Sequence, residues 1–473
     1  MIKSKVFDVL KCLSKEEMKR FGDYIDSPLF NKRKIISSLF VCYKKFYPAF
    51  DDRNLSKEKI YKKLFPGKSY SDEIFRNLNS ILLGHAEDFL AYTNYSNDPL
   101  TIRHHLLSEI NSRNILTIFE KNFEEGKKML EDLSQRDVSY FKNEYNLFSE
   151  KDIYNSFVNK FSKDDVTLSQ KSFLIFAILN ILEIQNYIIY ECRLLGLDNS
   201  LFLKNNSIDE IIKKLPEEIS GMPQIQIYYN ALMLEHTQNE KYYIKLKSLL
   251  EQYGDMIEKE KHYNKYIYMI DYIKRTRPAN NQKTTSEIFQ LRKNIVEKGL
   301  MKDNFMTNMF FLNLVKSGLK LNEYDWVLSF INRYNQLLIP KYRESTTDLS
   351  LAIYHFEKGE LDISLSHISK VGYEDSFYNL EVKNLTTRIY YEMDLFDQLP
   401  DYITAYKMYL SKNRSLGKAE HLFHSIFINF VTKLVRIKEQ KKYHKVESII
   451  EQINKSDFAY KTWLLEKAEE LSV

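Results

Sequence analysis

The sequence predicts an all-α protein: an array of helical hairpins preceded by a compact, basic helical module. Three observations lead there. Glycine and proline number only 12 and 9 in 473 residues, whereas all-β folds need turn residues at every short interval. Apolar residues recur three and four apart along most of the chain, which lines up one face of a helix. Residues 351–405 also hold two copies of one pattern, 34 residues apart. Leu351, Phe356, Leu361, Leu365, Ile368 and Val371 correspond to Leu385, Tyr390, Leu395, Leu399, Tyr402 and Ala405. Each copy reads as helix, tight turn, helix. A helix pair of that size cannot bury its apolar face alone, so neighbouring copies must stack.

Composition narrows the class further. The hydrophobic share of 44% supports a sizeable core. Tyr (34) and Phe (30) are abundant and suit helix–helix interfaces. Cys12, Cys42 and Cys192 have neither metal-ligand nor disulfide-framework spacing, which fits a reducing compartment. The first residues, MIKSKVFDVLKCLSKEE, lack the apolar centre of a signal peptide. The most apolar run, 172–182, ends at Glu183 and reads as too short and too polar to cross a bilayer. A soluble, cytoplasmic chain without a membrane span is expected.

Residues 1–96 read as the basic module. Ser14, Ser56 and Ser71 each precede an apolar-periodic run and suit helix caps, with Glu16 and Glu17 favourable in the first turn after Ser14. Pro28, Pro48 and the pair Pro66-Gly67 are stop signals, and residues 94–99 read as a linker. Residues 97–215 continue as helices, with 171–195 apolar nearly all round and therefore expected at the centre of that region. Residues 216–473 hold the hairpins: 223–250, 262–298, 308–338, the two copies at 345–411, and 419–453. Residues 458–471, with Trp463, read as a helix that closes the exposed end.

The residues Leu351, Phe356, Gly359, Leu361, Ile368 and Val371, then Leu385, Tyr390, Leu395, Tyr402 and Ala405, resemble the tetratricopeptide repeat family. The likeness is closest over 345–411, looser over 220–455, and does not reach 1–215. The second copy has Met393 where the first has the turn glycine. The resemblance implies an α-solenoid that binds a protein or peptide on its curved face, a non-catalytic scaffold. By register, Lys316, Lys383, Thr387 and Tyr390 would project into that groove, with Arg388 nearby; cations there would hold carboxylates and Tyr would supply stacking area.

No nucleophile constellation, metal string or glycine-rich phosphate loop stands out, so neither catalysis nor a cofactor is expected. Gly67-Lys68-Ser69 has the tail of a phosphate loop, but Lys62 stands where the loop needs glycine. Glu420, His421 and His424 share a helix but make an incomplete zinc set, and the adjacent His104 and His105 diverge around theirs. Charge is asymmetric: residues 1–70 hold 17 Lys and Arg against 8 Asp and Glu. Lys32, Arg33, Lys34, Lys57, Lys59, Lys62, Lys63 and Lys68 form a lysine-rich surface that reads either as solvated or as a site for nucleic acid or an acidic partner. Residues 55–90 resemble the helix-turn-helix part of winged-helix bacterial activators, which implies Arg76, Asn77 and Ser80 facing DNA. Asp72 and Glu73 open the supposed recognition helix, and no β-hairpin wing follows Tyr92. A transcriptional regulator with the hairpins as its sensor is thus the alternative to the scaffold.

Overall fold

The computed structural model describes residues 4–50, 55–197, 207–278, 281–301, 305–372, 376–413, 416–456, 458 and 460–472. The fold is all-helical, with 79% helix; among the described residues there are twenty-four α-helices and no strand. Two units emerge, Met1–Ile184 with Leu215–Ile225, and Gln185–Lys214 with Gln226–Val473. The division falls at Ile184, inside the longest helix.

In the first unit, α1 (Lys5–Cys12), α2 (Lys15–Asp26), α3 (Lys34–Lys44), α4 (Lys57–Leu64) and α5 (Asp72–Ser96) enclose one core running from Val6 to Phe89. Phe21 sits at its centre, edge-on to Phe40 at 4.9 Å and 5.1 Å from Phe89. The three expected serine caps form. Ser14 and Glu17 make a reciprocal capping box, and Ser56 and Ser71 accept from Lys59 and Ile74 backbone N–H groups. Each cap contributes about 1 kcal/mol. The expected linker at 94–99 is instead a tight corner. Asn94 to Ser96 still belong to α5, Asp98 caps the next helix by accepting from Thr101 N at 3.0 Å, and Pro99 opens it. Proline suits a first helical position because its missing N–H has no partner there anyway.

That helix, α6 (Pro99–Ser112), packs with α7 (Phe119–Glu131) and α8 (Val138–Phe157). Next, α9 (Lys163–Leu195) starts in the first unit and ends in the second. Its 31 residues 163–193 are long and apolar enough to cross a membrane by length and composition. The helix extends the apolar run 172–182 at both ends. Nor is α9 wholly enclosed. Ser169, Ser172, Ile175, Ile178, Leu179 and Leu182 are buried along one face, while Phe173, Ile181 and Ile184 are 42% exposed or more. Short α10 (Ser207–Lys214) and α11 (Glu217–Ser220) lead to α12 (Pro223–Thr237).

The second unit continues with α13 (Glu240–Tyr253), α14 (Lys259–Thr276), α15 (Gln282–Glu297), α16 (Asn308–Lys320), α17 (Tyr324–Tyr334), α18 (Arg343–Glu357), α19 (Leu361–Ile368), α20 (Ser376–Glu392), α21 (Leu399–Lys412), α22 (Lys418–Gln440), α23 (Val446–Asn454) and α24 (Lys461–Glu470). From α14 onward every helix packs against the next, and α16, α18 and α20 also touch in series. One core runs through this stretch from Phe289 to Ala468.

The two copies of the 34-residue pattern differ at their turns. In the first, Gly359 takes φ 76° and α19 begins two residues later. In the second, Asp394 rather than Met393 takes the left-handed conformation, at φ 54°, and α21 begins only at Leu399. Pro400 in the first turn of α21 sets that start, since its ring fixes a helical φ. A short polar side chain tolerates the left-handed region better than methionine does.

Candidate functional site

Helix α20 is unusual for a core element. Asn384, Thr386, Thr387 and Arg388 are all buried on it, beside half-buried Glu381 and Lys383. Buried polar groups must find partners, and here they divide into two clusters.

The first cluster faces α16, α18 and α24. Lys316 Nζ lies 2.6 Å from Glu381 Oε2, which also accepts from Tyr460 Oη at 3.1 Å. Burial opposes charge on both members of this pair. The field of Tyr460 and Glu381 nevertheless holds the Lys316 pKa above its ordinary value, and Lys316 holds the Glu381 pKa below its own. Arg388 lies between two aromatic faces, its guanidinium carbon 4.5 Å from the Phe356 centroid and 4.4 Å from that of Tyr460. Its nearest carboxylate is Glu357, with Nη1 3.7 Å from Oε1, and its buried Nε has no hydrogen-bond partner. Burial raises the Glu357 pKa against the pull of Arg388, and Glu466 and Glu392 add repulsion. Trp463 Nε1 donates to Glu392 Oε1 at 2.8 Å. Together Lys316, Glu357, Arg388, Tyr460, Trp463 and Glu466 border a pocket of about 330 Å³. Chemically the pocket offers a planar cation, a carboxylate short of counter-charge, and aromatic walls. Those are the parts that grip a polar main chain beside an aliphatic or basic side chain.

The second cluster faces α21 and α22. Lys383 Nζ sits over the rings of Tyr402, Tyr406 and Tyr409 at 5.6, 6.0 and 5.3 Å. Among the described residues no carboxylate is within ion-pair reach of it, and burial alone pushes its pKa down. Tyr406 Oη donates to Asn384 Oδ1 at 2.7 Å and meets His424 Nδ1 at 3.1 Å. His424 thus belongs to a buried polar network rather than standing beside Glu420 as a ligand pair, and burial lowers its pKa.

Of the five residues expected to line one groove, Lys316 and Arg388 meet in the Arg388 pocket. Lys383 lies in the tyrosine cluster. Thr387 is fully buried, its hydroxyl donating to the Lys383 carbonyl, and Tyr390 is 5.4 Å from Tyr402 in inter-helix packing. The sequence reading missed Glu357, Tyr460, Trp463 and Glu466, which arrive from α18 and α24. The available signal was the polar run Lys383-Asn-Leu-Thr-Thr-Arg388 inside a helix that has to be core.

In the basic module, Asp72 takes up part of the expected nucleic-acid face. It lies 2.9 Å from both Lys57 Nζ and Arg76 Nε, and Tyr70 Oη donates to it at 2.8 Å. Lys68 sits over the Phe65 ring at 5.6 Å, beside Gly67 at φ 80°, so Gly67-Lys68-Ser69 forms the corner before α5. Lys32, Arg33 and Lys34 lie where α3 begins, held by Asn31, whose amide donates to the carbonyls of Ile25 and Arg33. Arg76, Asn77, Lys62 and Lys63 are exposed. His104 Nε2 lies 3.6 Å from Glu150, and Cys192 is half-buried in α9. Comparison with protein-family models, curated proteins and solved structures finds no match to this chain.

Proposed function

We propose that the chain is a non-catalytic, cytoplasmic interaction scaffold whose second unit is a tetratricopeptide-like stack of helical hairpins holding a protein or peptide partner. Sequential packing from α14 to α24, with α16, α18 and α20 in series, supports the stack. The observation that carries the binding role is Arg388: a guanidinium clamped between Phe356 and Tyr460, with a buried Nε unused, bordering an open pocket. A partner's carboxylate entering the pocket would meet the planar guanidinium, which suits bidentate pairing.

The test is capture of a partner from extract of the native host by the full-length chain and by Arg388→Lys, with cross-linking to locate the contact. Lysine keeps the charge but loses the planar fork and the stacking. The expected result is a folded protein by circular dichroism, a melting temperature lowered by the lost stacking, and capture reduced roughly tenfold when measured well below melting, matching the loss of one strong hydrogen bond. Equal capture by both proteins removes the pocket from the interface. Reversal of Lys316 is unsuitable as a probe, because it would leave Glu381 buried against a second carboxylate.

A further inference from the structure

Away from that pocket, α22 and α23 form a second concave surface. Helix α22 presents Lys433, Arg436, Ile437 and Gln440; α23 and its lead-in present Lys445, Ser448, Ile449 and Gln452. The two sets share one spacing, i, i+3, i+4 and i+7, with Lys, Ile and Gln at matching places twelve residues apart. With Lys442 from the intervening turn they line a groove of about 480 Å³. No carboxylate lines it. Among the described residues none of its four cations has an ion pair, and Lys433 donates only to the neutral Gln452 Oε1, at 2.8 Å. The neighbouring Lys438 behaves differently: it turns away, pairs with Asp394 and sits over the Tyr391 and Phe396 rings.

We propose that this groove binds an acidic peptide segment carrying apolar side chains. Its cations would meet the segment's carboxylates, and Ile437 and Ile449 would receive an apolar side chain between them. The occupant follows from the lining. Ile437 and Ile449 are 5% and 6% exposed, so they form a floor that a side chain can reach but cannot themselves insert into a bilayer. No aromatic ring lines the groove as a base-stacking platform, and the basic face of α22 spans about 10 Å, too short a track for a nucleic-acid backbone. Gln440 offers an amide to a peptide main chain. The proposal rests on the scaffold reading and specifies the chemistry of one partner segment.

The experiment is fluorescence anisotropy of the full-length chain with three labelled probes: a 16-residue peptide of alternating Glu and Leu blocks, its Lys-for-Glu counterpart, and single-stranded dT16. Vesicles containing anionic phospholipid serve in a co-sedimentation arm. The expected result is binding of the acidic peptide alone, weakened by added salt and roughly tenfold or more weaker in the Arg436→Glu/Lys445→Glu double variant. Both residues lack a partner, so the variant keeps its fold, checked by circular dichroism; Arg436→Lys/Lys445→Arg retains binding. Failure of the acidic peptide to bind at low salt, an unchanged affinity in the reversed variant, or equal binding of dT16 or vesicles overturns the proposal. Host-partner capture that survives Arg436→Glu/Lys445→Glu yet falls in Arg388→Lys would overturn the groove and leave the scaffold standing.

Discussion

At the scale of single residues, His262 shows how burial sets chemistry in this chain. It is 1% exposed, lies 5.1 Å from the Tyr266 ring, and its Nε2 has no partner. Burial, helped by Lys298 and opposed by Asp255, pushes its pKa down to about 4 from an ordinary 6.5. Between those values the unfolded chain takes up a proton that the folded chain refuses. This contribution is therefore complete above pH 6.5 and is lost as pH falls towards 4, on the order of 3 kcal/mol in all. Denaturant unfolding from pH 7 to 4 should show this slope, and His262→Leu should remove most of it; the same slope in both proteins would place the effect elsewhere. His262 was only a helix position in the sequence reading, since nothing local marks a histidine as buried. Lys316 and Arg388 were singled out by register, but no spacing within one helix shows that residues 72 apart share a pocket. Their Tyr460 and Trp463 walls come from a helix read only as an end cap.

Among the elements, boundaries announced by short-range chemistry were legible. Ser14, Ser56 and Ser71 cap their helices because a hydroxyl next to free N–H groups needs no tertiary help. The corner at 94–99 was misread through the same kind of signal, for Asp98-Pro99 is a cap followed by a first-turn proline as much as a turn pair. Repeat spacing likewise hid a change of turn: with Met393 in the glycine's place, the left-handed residue moved to Asp394 and Pro400 delayed α21. Gly359 remains the glycine that its turn requires, at φ 76° with open space around it. Gly359→Ala should therefore lower stability by about 1 kcal/mol through backbone strain alone. Met393→Gly should bring no compensating gain, because that residue is not the left-handed one. Chemical denaturation of both variants checks this, and a stabilised Met393→Gly would contradict the turn assignment.

For the molecule as a whole, helical content was legible because few turn residues and 3.6-residue periodicity repeat throughout. The division into units was not, because it cuts through α9, whose apolar surface gives no local sign of ending. The excess of positive charge in residues 1–70 is a whole-surface property, and its test is electrostatic. With Asp72 engaging Lys57 and Arg76, titration of the full-length chain against mixed-sequence duplex should give weak binding that ignores sequence and collapses with salt. Tight, sequence-selective binding that is lost in Arg76→Ala would instead establish the regulator reading.

The interleaved path of the chain bears on its birth at the ribosome. The first unit needs Leu215–Ile225: Ile219 and Ile225 are buried, and Gln224 Nε2 donates to the Arg136 carbonyl at 2.9 Å. Those residues leave the exit tunnel only after 185–214, which belong to the second unit. At roughly 5–20 residues per second, the nascent first unit waits some two to eight seconds with part of its apolar surface uncovered. During that interval residues 185–214 emerge without the helices α13 to α24 of their own unit. A chaperone that shields apolar segments has its natural moment there, and synonymous codons that slow translation across 185–225 would lengthen it.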